Sequence, residues 1–301
     1  MVLKMRIVFI QLPLLNHGYD YIQGNMEYAS ASISGYIIEN VTPDIEIHSL
    51  PSVLTRFGSD SVIVKYIMNV EPDIVAFTCF LWNVERSMSI AESIKQRNDS
   101  IRIIFGGSEI YPGSIALAEK RDYVDHFVSG EGEWFFHKLL SHDTMRNYEQ
   151  FINGNQVIVQ PADALIPAEK IFEPLSGLRL NPMPDGSAFF ELTRGCPHKC
   201  SYCLYSKNFN RIRELPFRLL VDMLTDTRHA GRFTELYILS PALNNTKQFL
   251  RNIETLSRIN HGIRLHSEMR AGGIDKTTAE LLYKAGFRSM EVGLQTTNMA
   301  S

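Results

Sequence analysis

The chain has 301 residues, of which 45% are apolar and 21% charged, the usage of folded globular protein rather than of a disordered one. At about 150 residues per domain, that length predicts two domains, each large enough to bury a core. Thirty basic side chains against 33 acidic ones leave a net charge of −3, which argues against a nucleic-acid grip, and no apolar run approaches the roughly 18 residues of a membrane span.

Lys4 and Arg6 precede an apolar run over residues 7–15, but the small-residue stretch Ala29-Ser30-Ala31 lies beyond Asp20 and Glu27. A signal peptide would place its cleavage site directly after the run, so none is expected. Strand-like segments follow at residues 6–12, 45–50, 73–79, 101–105 and 123–128. Helix-like segments alternate with them at 26–39, 60–69, 84–97, 114–120 and 131–140. Strands separated by helices of that length predict a parallel sheet covered on both faces, here an α/β, doubly wound, flavodoxin-like domain over residues 1–140.

Residues 141–187 break the rhythm with Pro161, Pro167, Pro174, Pro182 and Pro184. They read as a linker with a short hairpin around 156–160; a third small subdomain is the alternative. Alternation resumes over 188–301, with strands expected at 188–193, 235–239, 263–268 and 289–294 and helices at 216–229, 247–258 and 276–285. This is the opening of a β/α barrel. Four strands cannot close one, so the expectation is a partial barrel, truncated at its C-terminal side.

The informative stretch runs Thr193-Arg194-Gly195-Cys196-Pro197-His198-Lys199-Cys200-Ser201-Tyr202-Cys203. Of four cysteines in the chain, three fall within the eight residues 196–203, which is not a disulfide framework and agrees with a cytoplasmic protein. The spacing C-x3-C-x2-C lets one loop wrap a metal centre. A structural zinc closes its shell with four ligands. Three thiolates on a four-iron cubane instead leave one iron open to a further ligand. Zinc completed by His198, and thiols without any ligand, stay open on the residues alone.

A three-cysteine loop after the first strand of a β/α domain resembles the radical S-adenosylmethionine superfamily. The resemblance implies a [4Fe-4S] cluster on Cys196, Cys200 and Cys203, whose open iron chelates S-adenosylmethionine and whose electron cleaves it to a 5′-deoxyadenosyl radical. It also implies that Tyr202, preceding the third cysteine, packs on the adenine. Ser240, in Ile238-Leu239-Ser240-Pro241, stands where relatives carry a Gly-Gly-Glu segment, a form from which this sequence departs. Glu268 and Arg270 stand where relatives place polar groups near the ribose or the methionine carboxylate; on residues alone they read equally as a surface ion pair. Gln295, in Gly293-Leu294-Gln295, completes the set.

Glycine turns end two strands of the first half, at Gly106-Gly107-Ser108-Glu109 and Gly130-Glu131-Gly132-Glu133. Glycine lets a backbone approach a ligand closely. With Pro72-Asp73-Ile74-Val75-Ala76-Phe77-Thr78 before them, residues 4–140 resemble the cobalamin-binding domain fused to many radical S-adenosylmethionine enzymes. That implies cobalamin at Thr78, Gly106, Gly107, Ser108, Gly130, Glu131 and Gly132. His17 lacks the flanking Asp and Gly of the cobalt-ligating Asp-x-His-x-x-Gly motif, so the lower ligand is left undefined. Cys79 reads as core, and Trp82 and Asn83 as pocket-lining.

The two resemblances together imply a cobalamin-dependent radical S-adenosylmethionine enzyme, with methyl transfer to an unactivated carbon as the commonest reaction. Its partners would be a small-molecule or peptide substrate and an electron donor such as a flavodoxin or ferredoxin, with no nucleic acid and no membrane. The alternatives are a radical enzyme whose first domain no longer binds cobalamin, and a zinc- or cluster-bearing module without catalysis. No residue is assigned a direct catalytic role.

Overall fold

The computed structural model describes residues 4–14, 26–42, 44–111, 113–205, 209 and 211–293. His17 and Gln295 lie outside the described residues. The chain divides into two compact units, Met1–Ile166 and Pro167–Ser301. Among the described residues no helix is long and apolar enough to cross a membrane.

The first unit is built on strands β1 (Met5–Ile10), β2 (Ile45–Ser49), β3 (Ile74–Thr78), β4 (Arg102–Gly106) and β5 (His126–Ser129), parallel and in the order β2-β1-β3-β4-β5. That is the flavodoxin-like order, whose ligand crevice lies outside the carboxyl ends of the strands. All five residues of β3 are buried, as a strand covered on both faces requires. Residues 149–159 fold back as a hairpin, β6 (Glu149–Ile152) and β7 (Asn155–Val159), and β7 extends the same sheet beside β5.

Helices α1 (Tyr28–Asn40), α2 (Ser52–Phe57), α3 (Asp60–Val70), α4 (Val84–Arg97) and α5 (Gly132–Leu140) complete the unit. Helix α4 buries Val84, Ser87, Met88, Ala91 and Ile94, a three-to-four-residue spacing that keeps one stripe on the sheet. At its C-terminus Lys95 reaches Asp125 at 3.0 Å, a cation where the helix dipole favours one. Phe77, Phe105 and Phe127, on three neighbouring strands, meet with ring centroids 4.9 and 5.8 Å apart. Each buried ring or Ile side chain contributes roughly 1.5–3 kcal/mol.

Two expected elements differ. The helix anticipated over 114–120 is one 3-10 turn, Ile115–Leu117, entered through Gly113 at φ +90°. The helix anticipated over 216–229 ends at Thr225, because the Asp226 carboxylate accepts the Arg228 N–H at 2.8 Å and starts a separate turn.

In the second unit β8 (Ser187–Glu191), β11 (Glu235–Leu239), β12 (Arg264–Met269) and β13 (Phe287–Val292) form a parallel sheet in that order. Helices α6 (Phe217–Thr225), α7 (Phe249–Ser257) and α8 (Lys276–Lys284) supply Leu220, Met223, Ile253, Leu256 and Leu282 to its core, against Ala188, Phe190, Leu236, Ile238 and Leu265. The alternate residues Phe189, Tyr237, His266 and Ser289 lie in register across the other face. A two-stranded antiparallel ribbon, β9 (Thr193–Arg194) with β10 (Arg213–Glu214), closes the base of the loop that carries the three cysteines.

Two features of the first unit are held by backbone and burial. Gly107 sits at φ +105°, and a Cβ there would stand 2.5 Å from the Cys79 carbonyl oxygen and 2.7 Å from its nitrogen. Cys79 N–H donates to Gly106 O at 2.7 Å, and Glu109 N–H donates to Cys79 O at 3.1 Å, so the ends of β3 and β4 meet backbone to backbone. At the start of α1, burial pushes the Glu27 carboxyl up to about 7.

Gly107→Ala is expected to destabilise the first unit by about 2 kcal/mol or more, from the combined strain and clash. Gly106→Ala, where a Cβ meets nothing within 4 Å, should change the denaturant midpoint little. Glu27 ionises near 4.5 when unfolded and near 7 when folded, so it removes stability as pH rises between those values. Glu27→Gln should therefore melt above the parent at pH 8, with the gain gone below about pH 4.5.

Candidate functional site

The three thiols sit on a loop whose path is dictated at Gly195. Its φ is +94°, and a side chain there has no room against the Arg211 carbonyl oxygen. The Gly195 N–H donates to the Tyr205 hydroxyl at 2.8 Å, Cys196 N–H to Phe209 O at 2.8 Å, and Cys203 N–H to Cys200 O at 3.1 Å. None of the three cysteines is in a disulfide, and they grade from buried Cys196 through half-buried Cys203 to exposed Cys200. The ring of Tyr202 is 68% exposed, open to a planar ligand.

Around this loop stand the carboxyl ends of the neighbouring strands. Buried Thr193 donates to buried Ser240 at 2.6 Å, tying β9 to the end of β11. Thr193, Gly195, Cys196, Pro197, Ser240 and Pro241 share one small cavity, so Ser240 and the first cysteine are brought together. Glu268 and Glu291 are register partners on β12 and β13. Burial, and then the Glu291 charge, push the Glu268 carboxyl up. Burial lowers His266, against the opposing charges of Glu291 and Glu235, and its Nδ1 lies 2.8 Å from Ser289 Oγ.

Glu268 and Arg270 form no ion pair. Arg270 instead turns its Nη1 onto His198, 2.8 Å from Nδ1 and 2.9 Å from Nε2. The Asn245 amide closes on the same ring. Asn244 clasps the Arg270 backbone from both sides, accepting its N–H at 3.0 Å and donating to its carbonyl at 2.8 Å. The sequence reading missed both asparagines. An Asn-Asn pair just beyond a strand end was their signal, since short amides there satisfy neighbouring loop backbone.

In the first unit the carboxyl ends of β3, β4 and β5 carry the residues expected at cobalamin. Gly106 faces open space and Ser108 is exposed. Thr78 is buried, with its carbonyl accepting from Asn83 at 3.1 Å. The other glycines answer to the protein itself: Gly107 to Cys79, Gly130 to Gln160, and Gly132 to the Ile33 side chain. The Glu131 carboxylate is also used internally, accepting from Ile166 N–H at 2.8 Å and from Gln160 at 3.2 Å. Cys79 is fully buried, and burial together with the Glu109 charge keeps its thiol protonated. Trp82 stacks on Phe80 with centroids 4.6 Å apart and remains 43% exposed. Asn83 anchors that loop through Leu12 O at 2.9 Å and Phe80 N–H at 2.8 Å.

Residues 27–140 match the family model described as B12 binding domain, and residues 190–300 match that of the Radical SAM superfamily. The chain is 29% identical over 154 residues to the cobalamin-dependent radical SAM methyltransferase TokK of Streptomyces tokunonensis, a match covering 44% of this chain and 22% of that protein. It is 25% identical over 320 residues to the anaerobic magnesium-protoporphyrin IX monomethyl ester cyclase of Rubrivivax gelatinosus, covering 97% of this chain and 55% of that one. These matches thus span about half or less of the relatives' own length. Its fold is similar to that of the radical S-adenosylmethionine methyltransferase TsrM from Kitasatospora setae, with TM-score 0.73 at 16% identity over 99% of this chain and 60% of that chain. It is similar also to that of the cobalamin-dependent radical enzyme OxsB, with TM-score 0.69 at 15% identity over 97% of this chain and 44% of that chain. The chain thus carries, in this order, a segment that matches the B12-binding domain model and one that matches the Radical SAM superfamily model.

Proposed function

We propose that this chain forms the cofactor-binding portion of a cobalamin-dependent radical S-adenosylmethionine enzyme that transfers a methyl group to an unactivated carbon of a small-molecule or peptide substrate. The observation that carries the reading is the three-thiol loop, set at the carboxyl ends of a parallel β/α sheet, with the His198 imidazole engaged by Arg270. Zinc would want His198 as its fourth ligand, whereas three thiolates alone suit a cubane with one open iron. The donor set fits a [4Fe-4S] cluster on Cys196, Cys200 and Cys203.

S-adenosylmethionine would lie beside that cluster, with Tyr202 against its adenine and Ser240, Glu268, Arg270 and Gln295 around its methionine and ribose. Cobalamin would lie at Thr78, Gly106 and Ser108, where the open side of Gly106 and the exposed Trp82, stacked on half-buried Phe80, offer a flat, accessible wall. Gly107, Gly130, Glu131 and Gly132 serve it by shaping the loops. When bound, these groups supply reductive cleavage of a sulfonium to a 5′-deoxyadenosyl radical, and a methyl carrier. The protein binds and orients them and keeps water from the radical. An electron donor such as a flavodoxin or ferredoxin, and a reducing cytoplasm, suit three cysteines outside any disulfide.

Anaerobic reconstitution should load about four irons per chain. The reduced protein should then give an electron paramagnetic resonance signal that shifts when S-adenosylmethionine is added. Cys203→Ser should abolish the signal while leaving both units folded. Zinc in place of iron, with no signal, would overturn the reading. Cobalamin should bind near one per chain by its visible absorbance; none at saturation would leave a radical enzyme whose first domain has lost that cofactor.

A further inference from the structure

We infer that His198 is a positioning residue, which holds the Arg270 guanidinium against the three-thiol loop so that one edge of it stays free for the carboxylate of S-adenosylmethionine. The inference rests on the cluster and ligand reading above and adds a role for a histidine that the cysteine motif brackets without using.

Arg270 is exposed, and among the described residues its side chain meets no carboxylate. A long cation so placed would ordinarily sample many rotamers, and fixing it costs side-chain entropy. Here both ends of the residue are fixed. Asn244 holds the backbone through Arg270 N–H and O, and also donates to Gly272 O at 3.0 Å. The imidazole of His198 receives Nη1. Asn245, the next residue after Asn244, meets the same imidazole at Nε2. A neutral ring has one acceptor nitrogen and one N–H, and an amide offers both an acceptor and a donor, so the ring can be satisfied from both sides.

The guanidinium fork has five N–H donors, and only Nη1 is engaged by His198. The edge formed by Nε and Nη2 is left for an anion, and a carboxylate matches that edge with two parallel hydrogen bonds. An imidazole carries no negative charge, so it orients the cation without cancelling its charge, as an aspartate or glutamate in its place would. The relay also ties the cysteine loop to the ends of β11 and β12, the segments that border the ligand. His198 thus acts on the ligand through Arg270.

The test compares His198→Leu, His198→Gln, Arg270→Gln and the double variant His198→Leu/Arg270→Gln, each reconstituted in the full chain. Iron content, the ligand-induced resonance shift and the dissociation constant for S-adenosylmethionine are read for each. All four should keep about four irons. His198→Leu and Arg270→Gln should each weaken binding about tenfold and blunt the shift. His198→Gln, whose amide oxygen still accepts from Nη1, should stay within about threefold of the parent. The double variant should be no weaker than Arg270→Gln, since the two residues act as one unit. Loss of iron in His198→Leu and His198→Gln alike would make His198 a ligand and overturn the inference. Unchanged affinity, or fully additive effects, would overturn it as well. A parent chain with no cluster signal would bring down the functional reading itself, which separates the two failures.

Discussion

The second unit depends on the close approach of two backbones, Gly195 to the carbonyl of Arg211. Only a residue without a Cβ, at positive φ, passes that point. From there Cys196 is turned inward onto the Phe209 carbonyl, and the phenol of Tyr205 receives the Gly195 N–H. The β9–β10 ribbon closes the loop at its base, and the Thr193–Ser240 hydrogen bond joins that base to the sheet. Each thiol's exposure follows from this path: Cys196 lies inside the turn and Cys200 on its outer rim.

The first unit solves a related problem differently. Its parallel sheet is covered on both faces, so the only ground left for a ligand is the loops at the strand ends. Three of those loops are pinned by the protein itself. The turn after β4 is packed backbone to backbone on Cys79, the turn after β5 is locked by Gln160 and Glu131, and the loop after β3 is pinned by Asn83. Among the described residues, Leu81, Trp82, Gly107, Ser108 and Gly130 are exposed at these ends, with Phe80 and Gly106 half-buried beside them. A flat, pre-formed wall of this kind orders little on binding.

Much of this was legible in the residues. Buried parallel strands announce themselves as apolar β-branched runs, and Ile74–Thr78 and Glu235–Leu239 lie where those runs do. The three cysteines were equally plain, because their chemistry depends on spacing. The hairpin edge β6 was not, since Glu149–Ile152 is short and half exposed and carries no alternating pattern. Nor was the purpose of each glycine. Sequence marks a position that needs a bare backbone, but whether a ligand or the protein's own Gln160 or Ile33 fills the space is decided by tertiary packing. The link from His198 to Arg270 spans 72 residues, and no local pattern can encode a contact of that range.

The ribbon beneath the cysteine loop bears on the order in which the molecule is assembled. Bringing the ends of a loop together is an entropic cost usually met when a metal binds, which is why many small metal domains are unfolded without one. Here residues 193–194 and 213–214 have already closed that circle through their own backbone hydrogen bonds. The base of the loop is thereby held by the polypeptide itself, whatever the thiols above it carry.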